Sequence, residues 1–504
     1  MVEFLLGIDI GTSGSKGVLA RPDGTIVARS QREHLLSLPR PGWAEHDAET
    51  VWWADVLSIS RELAGAAAAE GRIAGVCVSG IGPCLLPTDA DGRPLRPAIL
   101  YGIDTRADCE IEDLTQQFGA EAILQRCGSA LTSQAVGPKL LWLRRNEPEV
   151  WANTRRFFMA SSFIIHRLTG EYVLDHHSAS QCDPMYDIGA ETWAADWTAE
   201  IAPGLELPAL HWAADVVGRV TADAATKTGI PAGTPVMAGT IDAWAESLSV
   251  GVQQPGDTML MYGTTMFIID VVDALRPRRS MWGTTGLSSG SRTLAAGMAT
   301  SGALTAWLRT LAGGPPFEEL LAEAAAIPAG SDGLVALPYF AGERTPLYDP
   351  RARGLILGLT LRHGRAHLYR ALLESIGYGV RHILETLEAA GGASRRLVAV
   401  GGGTRGGLWA QIVSDVTGQP QEIPAETIGA CYGDALLAAQ GVGLVPAGTT
   451  WARVASVVQP TESTRALYEE LYSIYLSLYP ATREQAHVLA RIQSDSISAD
   501  LNKG

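Results

Sequence analysis

The sequence predicts an α/β protein built from two large, related lobes, for three reasons. The chain has 504 residues, and a single hydrophobic core stops growing at about 250–300 residues. Stretches typical of strands alternate with stretches typical of helices along the chain, which favours an α/β architecture. A strand–loop–strand unit with a glycine-containing tip occurs near the start and again past the middle. We therefore expect lobes at 1–248 and 249–490, followed by a tail at 491–504.

The elements are predicted from apolar periodicity and turn signals. The first unit consists of strands Val2–Ile10 and Gly17–Ala20 around the loop Gly11–Lys16, with a third strand at Thr25–Arg29. The second unit consists of strands Thr258–Tyr262 and Met266–Val272 around Gly263-Thr264-Thr265. Further strands are expected at Pro235–Thr240 and Arg396–Val400. Helices are expected at Glu49–Ala69, Lys139–Arg145, His367–Leu387, Leu408–Thr417 and Thr464–Tyr479.

The composition excludes several classes of protein. Apolar residues make up 46% and charged residues 18% of the chain, as in a globular protein, and the net charge is −15. That acidity argues against binding to nucleic acid or to an anionic membrane surface, which needs a basic face. The six cysteines are scattered without a C-x-x-C pair, so we expect reduced thiols rather than a zinc site or disulfide framework. No apolar stretch reaches about 18 residues. A cytoplasmic protein without a membrane segment is expected.

The segment from Gly7 to Lys16, Gly-Ile-Asp-Ile-Gly-Thr-Ser-Gly-Ser-Lys, has the properties of a phosphate-binding loop. It is not a Walker A loop, because that motif opens a helix and a strand follows here. The backbone at Gly11 can approach phosphate oxygens closely, Thr12 and Ser13 add hydroxyl donors, and Lys16 adds a positive charge. Asp9 would repel phosphate but suits a hydrated Mg²⁺ ion held through water.

Together these residues resemble the opening of the FGGY family of carbohydrate kinases, in Gly7-Ile-Asp-Ile-Gly-Thr-Ser13. Further landmarks follow in the family's order: Arg40-Pro-Gly-Trp-Ala-Glu-His-Asp47 with Val51-Trp-Trp53, Leu95–Leu100, Gly137–Leu143, Gly342-Glu-Arg-Thr-Pro346, Gly354–Leu359 with Leu373-Glu374, and Gly401-Gly-Gly403. Among family members, the xylulokinases are the most similar. The resemblance implies two actin- and hexokinase-like (ribonuclease H-like) ATPase lobes with a central cleft. It also implies ATP and Mg²⁺ as cofactors, a small sugar or polyol as substrate, and a homodimer.

The resemblance also implies roles for single residues. Asp242 matches the catalytic carboxylate, which would accept the proton of the sugar hydroxyl as its oxygen attacks the γ-phosphorus. The same carboxylate would contact the sugar, which the N-terminal lobe would bind. Nucleotide contacts in the C-terminal lobe are implied for Gly263, Thr264, Gly302, Gly402, Gly403 and Gly407. Asp242 could also cap the helix that starts at Ala243, and the glycines could simply form turns after strands.

The match weakens on the sugar side. Xylulokinases follow Ser-Gly with Gln-Met-His, whereas Gly80 is followed here by Ile81-Gly82-Pro83. We expect Gly80 near the sugar, Asp104 to bind sugar hydroxyls and Trp43 to pack on the sugar's apolar face. A ketopentose such as xylulose is the expected acceptor.

Two groups of alternatives remain open. The first is a kinase for another ketose, a tetritol or glycerol, which the altered segment after Gly80 permits. The second is a non-catalytic sugar sensor or an ATPase coupled to a partner. The joint presence of Asp9, Thr12 and Asp242 speaks against this second group, because a binding module needs no base. A sugar-stimulated release of ADP would separate these possibilities.

Overall fold

The computed structural model describes residues 2–501. The strands of the N-terminal half are β1 (Val2–Ile10), β2 (Gly14–Ala20), β3 (Ile26–Glu33), β4 (Glu45–His46), β5 (Gly71–Gly80), β6 (Leu86–Thr88), β7 (Ala98–Ile99), β8 (Arg156–Phe158), β9 (Val173–Asp175), β10 (Tyr186–Asp187), β11 (Thr192–Trp193), β12 (Ala209–His211), β13 (Val216–Arg219), β14 (Pro235–Met237) and β15 (Thr240–Ile241). Those of the C-terminal half are β16 (Asp257–Tyr262), β17 (Met266–Val272), β18 (Trp282–Thr285), β19 (Arg292–Met298), β20 (Val335–Leu337), β21 (Leu355–Leu357), β22 (Arg396–Val400), β23 (Gln421–Pro424) and β24 (Val454–Val458).

The helices alternate with these strands. They are α1 (Ala54–Glu70), α2 (Asp108–Phe118), α3 (Ala120–Cys127), α4 (Val136–Asn146), α5 (Pro148–Asn153), α6 (Ala160–Thr169), α7 (His176–Ala179), α8 (Ala195–Ile201), α9 (Ala222–Thr228), α10 (Asp242–Ser249), α11 (Gly302–Leu311), α12 (Phe317–Ala325), α13 (Arg365–Ala389), α14 (Leu408–Thr417), α15 (Ala430–Gly441) and α16 (Arg465–Leu501). Within residues 2–501, no helix is long and apolar enough to cross a membrane.

Two mixed sheets form the centres of the lobes, and they share one plan. In the first sheet β3, β2, β1 and β5 lie side by side, with β1 antiparallel to β2 and parallel to β5. In the second sheet β19, β17, β16 and β22 follow the same order and directions. Separate apolar cores pack against the two sheets, one around Trp52 and Phe163 and the other around Tyr262 and Tyr378. The predicted α/β lobes with a duplicated plan are confirmed.

Helices α10 and α15 pack against each other at the junction of the lobes with almost no space between their backbones. A Cβ atom at Gly433 of α15 would lie 1.8 Å from the carbonyl oxygen of Ala245 in α10. A Cβ atom at Gly7 of β1 would lie 1.9 Å from the carbonyl oxygen of Cys431 in α15. Only glycine can occupy these two positions, since any side chain would force the backbones apart. Strand β1 and both helices are therefore held in contact.

Several boundaries differ from those predicted. Strand β2 begins at Gly14 rather than Gly17, because the ladder with β1 continues to the pair Ile10 and Ser15. The strand predicted at Pro235–Thr240 ends at Met237. Gly239 then has a φ of 64°, and a short strand, β15, pairs with β5.

The last helix also differs from its prediction. It was expected to end at Tyr479, but it continues through Pro480 to Leu501. Most of the predicted tail at 491–504 is therefore helical, and residues 502–504 lie outside the described residues.

The contact between α10 and α15 gives a first prediction. Gly433→Ala is expected to lower the free energy of unfolding by about 2–4 kcal/mol, because the added methyl group overlaps the Ala245 carbonyl. The matched control is Gly65→Ala in α1, where an added Cβ would meet no atom within 4 Å. That change should raise stability by up to about 1 kcal/mol through helix propensity. Urea denaturation of both variants checks this, and equal effects would contradict the packing described.

Candidate active site

A cavity of about 260 Å³ lies at the base of the cleft and is lined by both lobes. Asp9 at the end of β1 and Asp242 at the start of α10 reach it from the N-terminal half. Met261, Thr265 and Phe267, around the tip of the second hairpin, reach it from the C-terminal half. The other lining residues are Ile81, Gly82, Tyr101, Gln134, Gln181, Ile241, Ala243, Trp244, Glu246, Trp282, Ala295, Arg344 and Ala430.

Asp242 is the first residue of α10 and its carboxylate is held by the helix itself. Its Oδ1 atom accepts a hydrogen bond of 2.7 Å from the backbone N–H of Ala243. A helix N-terminus favours negative charge, yet burial is the stronger effect and raises the pKa of Asp242 to about 6. A carboxylate of this kind is ionised at neutral pH and remains basic enough to take up a proton.

Asp9 lies beside Asp242 in a more crowded environment. It faces Lys16 across the β1–β2 ladder, and the Ser79 hydroxyl lies 3.5 Å from its Oδ1 atom. Burial, and then the charges of Asp242 and Glu246, raise the pKa of Asp9 well above its usual value, although Lys16 opposes the shift. The Ser79 hydroxyl also donates to Asp434 of α15 at 2.6 Å. Strand β1, strand β5 and helix α15 are thus joined at this point.

Glu246 is a third carboxylate on the cavity wall. It lies one turn after Asp242 on the same face of α10, since residues four apart on a helix are neighbours. Burial, followed by repulsion from Asp242, raises the pKa of Glu246 to about 7. Three carboxylates therefore lie on this cavity wall, and the ammonium group of Lys16 partly offsets the raised pKa of Asp9 and of Glu246.

Two glutamines present polar groups to the same cavity. The Gln134 Oε1 atom accepts from the Gly102 N–H at 3.0 Å, which leaves its NH₂ group to face a ligand. Gln181 is fixed by His177, whose Nδ1 lies 2.8 Å from the Thr285 carbonyl and whose Nε2 lies 2.9 Å from the Gln181 Nε2. Because His177 must donate to that carbonyl, its other nitrogen accepts from Gln181. The side-chain oxygen of Gln181, which has no hydrogen-bond partner among residues 2–501, can then accept a hydrogen bond from a hydroxyl group.

The predicted phosphate loop lines a second cavity, of about 670 Å³, which shares Asp9 with the first. Its walls include Gly11, Thr12, Ser13 and Lys16, as well as Gly14, Gln31, Glu33, His34 and Leu35. The Thr12 hydroxyl lies 3.0 Å from the hydroxyl of Tyr101, which belongs to the cleft cavity. The loop therefore lies between the two cavities.

A third cavity, of about 570 Å³, brings together most of the predicted nucleotide contacts. Gly263, Thr264, Gly302, Gly402 and Gly403 all line it, whereas Gly407 does not and its neighbours Arg405 and Gly406 do. The N–H of Gly302 donates to the Gly263 carbonyl at 3.0 Å, and a Cβ atom at Gly302 would lie 2.6 Å from that oxygen. Apolar groups of Phe317, Leu321, Tyr369 and Trp409 form another wall.

The structure does not place Asp104 at the cavity, and that prediction is wrong. Asp104 is 1% exposed, and its carboxylate oxygens already accept hydrogen bonds from other residues. It accepts from the Ala44 N–H at 2.7 Å and pairs with Arg106 at 2.7 Å. A buried carboxylate with these partners has no capacity left for a sugar hydroxyl.

Two other residues predicted for the sugar side also lie outside the lining of the cavity. Trp43 lies away from the cavity, with the Arg106 guanidinium 3.9 Å above its ring and Trp142 edge-on at 5.3 Å. Gly80 does not line the cavity but packs near Ala160; its successors Ile81 and Gly82 do line it.

Sequence reasoning missed several residues of the cavity. Glu246 could have been found, because it follows Asp242 at helical spacing. Gln134, Gln181 and Tyr101 lie on segments distant in sequence, and no local pattern brings them together. Arg344 reaches the cavity from the Gly342–Pro346 landmark.

Comparison with known proteins agrees with this architecture. The N-terminal domain of the FGGY family of carbohydrate kinases matches residues 4–249, and the C-terminal domain matches residues 258–442. A xylulose kinase of Bacillus subtilis is 28% identical over 494 residues, covering 96% of this chain and 98% of that protein. A gluconokinase of the same organism is 25% identical, covering 99% of this chain and 100% of that protein.

Solved structures give the same result. The crystal structure of a xylulose kinase from Rhodospirillum rubrum superimposes with a TM-score of 0.90 and 34% identity, covering 96% of this chain and 100% of that one. The chain belongs to the FGGY family of carbohydrate kinases. Its two lobes have the actin- and hexokinase-like ATPase fold of that family, and the family uses ATP as phosphoryl donor.

The crowding of carboxylates gives a second prediction. A raised pKa means that folding favours the protonated form of Glu246. The contribution of this group to the free energy of unfolding is therefore fully present below about pH 4.5 and is lost as the pH rises through about 7. Glu246→Gln should therefore flatten this part of the pH profile and stabilise the ligand-free protein above pH 7 by about 1–2 kcal/mol. Denaturation across this pH range measures it. Glu470→Gln, at an exposed carboxylate of α16, is the control. An unchanged pH slope in Glu246→Gln would contradict the described electrostatics.

Proposed function

We propose that the protein transfers the γ-phosphoryl group of ATP to a hydroxyl of a small sugar, with xylulose as acceptor and Asp242 as general base. The observation that carries the proposal is the position of Asp242, at a helix N-terminus in a cavity between the two lobes. Its pKa of about 6 suits a base that works near neutral pH. The xylulose kinases among its relatives support the choice of acceptor. The supply of ATP favours the cytoplasm as the site of the reaction.

In the proposed mechanism the sugar occupies the 260 Å³ cavity and ATP occupies the cavity lined by Gly263, Thr264 and Gly402. The phosphate chain reaches from there towards the loop at residues 11–14. The attacking hydroxyl gives its proton to Asp242 as its oxygen bonds to the γ-phosphorus. The bond from the γ-phosphorus to the bridging oxygen of the β-phosphate breaks, and ADP leaves with that oxygen. The Gln181 oxygen and the Gln134 amide orient the sugar by hydrogen bonds. Apolar groups such as Trp244 and Phe267 exclude water from the reacting oxygen.

Mg²⁺ fits the same arrangement. Asp9 carries a carboxylate that burial and like charges destabilise, and a divalent cation would relieve that repulsion. Among the described residues, no three carboxylate, histidine or cysteine side chains converge on one ion position. That fits an ion that arrives with the phosphates and keeps its water, with Asp9 binding through water. The ion would neutralise charge on the transferred group.

Phosphoryl acceptors other than xylulose stay open. The part of the cavity wall formed by Ile81 and Gly82 offers no polar side chain that would select one sugar. Another ketose, a tetritol or glycerol could use the remaining polar groups, Gln134 and Gln181. A homodimer, which the family resemblance implies, stays a prediction.

A coupled assay of ADP release with a panel of ketoses, aldoses and polyols tests the function. We expect ADP release to depend on the sugar, with xylulose giving the highest kcat/KM. A different best acceptor would replace xylulose but keep the kinase. Turnover that does not respond to any sugar would contradict the proposal and favour an ATPase.

The role of Asp242 is tested by Asp242→Asn. The amide cannot accept the proton, so kcat should fall by about 10³-fold or more. ATP binding, measured by calorimetry, should change little, because the nucleotide cavity does not include this residue. Glu246→Gln is the matched comparison one turn away and should lose much less activity. Near-normal kcat in Asp242→Asn, or the larger loss in Glu246→Gln, would remove Asp242 from the role of base.

A further inference from the structure

We propose that His34 is a positioning residue that fixes the loop at residues 11–14 for phosphate binding by donating from both ring nitrogens at once. The inference rests on the proposed function, since it takes this loop as the site of the nucleotide phosphates. His34 is not among the residues for which the sequence indicated a role.

The His34 ring is enclosed between the loop and helix α1. Its side chain is 7% exposed. The Nδ1 atom lies 2.8 Å from Oδ2 of Asp55, and the Nε2 atom lies 3.1 Å from the carbonyl oxygen of Gly11. Asp55 lies in the first turn of α1, where the helix dipole favours a negative charge. The Ser15 hydroxyl also donates to its Oδ2 atom, at 2.8 Å.

The two partners of His34 are both acceptors, and this fixes the protons on the ring. A carbonyl oxygen cannot donate, and an ionised carboxylate cannot donate. A neutral imidazole carries one N–H and could satisfy only one of them. With Asp55 ionised, both contacts are hydrogen bonds only when the ring carries two N–H groups. We therefore infer that His34 is an imidazolium paired with Asp55.

Among the described residues, the titratable ring of His46 lies against His34, and it does not compete for this charge. His46 of β4 lies edge-on to His34 at 4.9 Å between ring centroids. Burial, and then repulsion from His34, lower the pKa of His46 to about 4, so His46 is neutral at neutral pH. Its Nδ1 atom accepts from the Trp52 indole N–H at 3.0 Å. Asp55 is therefore the charged partner of the His34 ring.

His34 holds two carbonyl groups of the loop. Besides the ring contact to Gly11, its backbone N–H donates to the Ser13 carbonyl at 3.2 Å. In a trans peptide the C=O and the next N–H point in opposite directions. Drawing the Gly11 and Ser13 carbonyls towards His34 thus turns the N–H groups of Thr12 and Gly14 away from it.

That orientation prepares the loop for an anion. In the part of the chain that the structure describes, the N–H group of Thr12, which the His34 contact to Gly11 orients, donates to no protein atom, and neither does the N–H group of the neighbouring Ser13. The Thr12 hydroxyl lies 3.0 Å from the hydroxyl of Tyr101, which lines the cleft cavity. Backbone N–H groups that point together form a good binding site for phosphate oxygens. His34 would act through the loop and would not touch the phosphate itself.

The test is His34→Gln, compared with wild type in ATP and adenosine binding by calorimetry. We expect the affinity for ATP to fall roughly 10-fold, because a charged hydrogen bond to the loop is lost. Adenosine has no phosphates, so its affinity should not change. In the sugar-dependent assay the KM for ATP should rise more than kcat falls. His166→Gln is the matched control, because its ring also lies between two carbonyl oxygens, of Glu171 and Asp91, but away from the loop.

Two further measurements separate positioning from folding. Asp55→Asn, which removes the anionic partner, should weaken ATP binding in the same direction and leave adenosine unaffected. In the wild-type protein labelled with ¹⁵N-histidine, the NMR signals lost in His34→Gln should show two protonated ring nitrogens at neutral pH.

Equal ATP affinity in wild type and His34→Gln, an equal loss for adenosine, or one protonated nitrogen on His34 would overturn the inference. A wild-type protein that does not bind ATP would overturn the proposed function as well.

Discussion

The close contact of helices α10 and α15 with strand β1 is the constraint on which the site depends. The missing side chains of Gly433 and Gly7 let three backbones meet where the lobes join. Because Asp9 ends β1 and Asp242 begins α10, this contact brings two carboxylates from distant parts of the sequence to one cavity. Judged by intrinsic propensity alone, a glycine within a helix or a strand is expected to destabilise it. The value of these two glycines is that the junction can be rigid at the place where the reaction needs fixed geometry.

The same constraint has an electrostatic cost. Asp9, Asp242 and Glu246 all have raised pKa values, with burial as the first cause. Bringing such groups together lowers stability in the free protein, and a bound cation with its phosphates would offset the repulsion. Buried titratable groups with strongly shifted pKa values are typical of functional sites. We therefore interpret the cluster as stability given up for the proposed catalysis.

The sequence predicted the architecture well and the sugar site poorly, for physical reasons. The two hairpins were found because their signals are local. The family resemblance implied the nucleotide role of the glycines at 263, 302, 402 and 403, and the structure gathers those glycines at one cavity. Asp104 and Trp43 were assigned to the sugar from the family resemblance, in the region where the match is weakest. Their neighbour Arg106 pairs with Asp104 and stacks on the ring of Trp43. Asp104 and Trp43 therefore both belong to a packed ionic cluster. Gln134 and Gln181 could not be predicted, because only tertiary contacts decide which end of each amide faces the cavity.

The most direct test of the central claim is the identity of the phosphorylated product. The protein is incubated with ATP, Mg²⁺ and xylulose, or with the best acceptor of the panel, and the mixture is followed by ³¹P NMR. A junction that places Asp242 between the sugar and the nucleotide predicts one new sugar phosphomonoester, formed in equal amount to ADP. Orthophosphate in place of the phosphomonoester would show that water, not a sugar held against Asp242, receives the phosphoryl group, and would contradict the account.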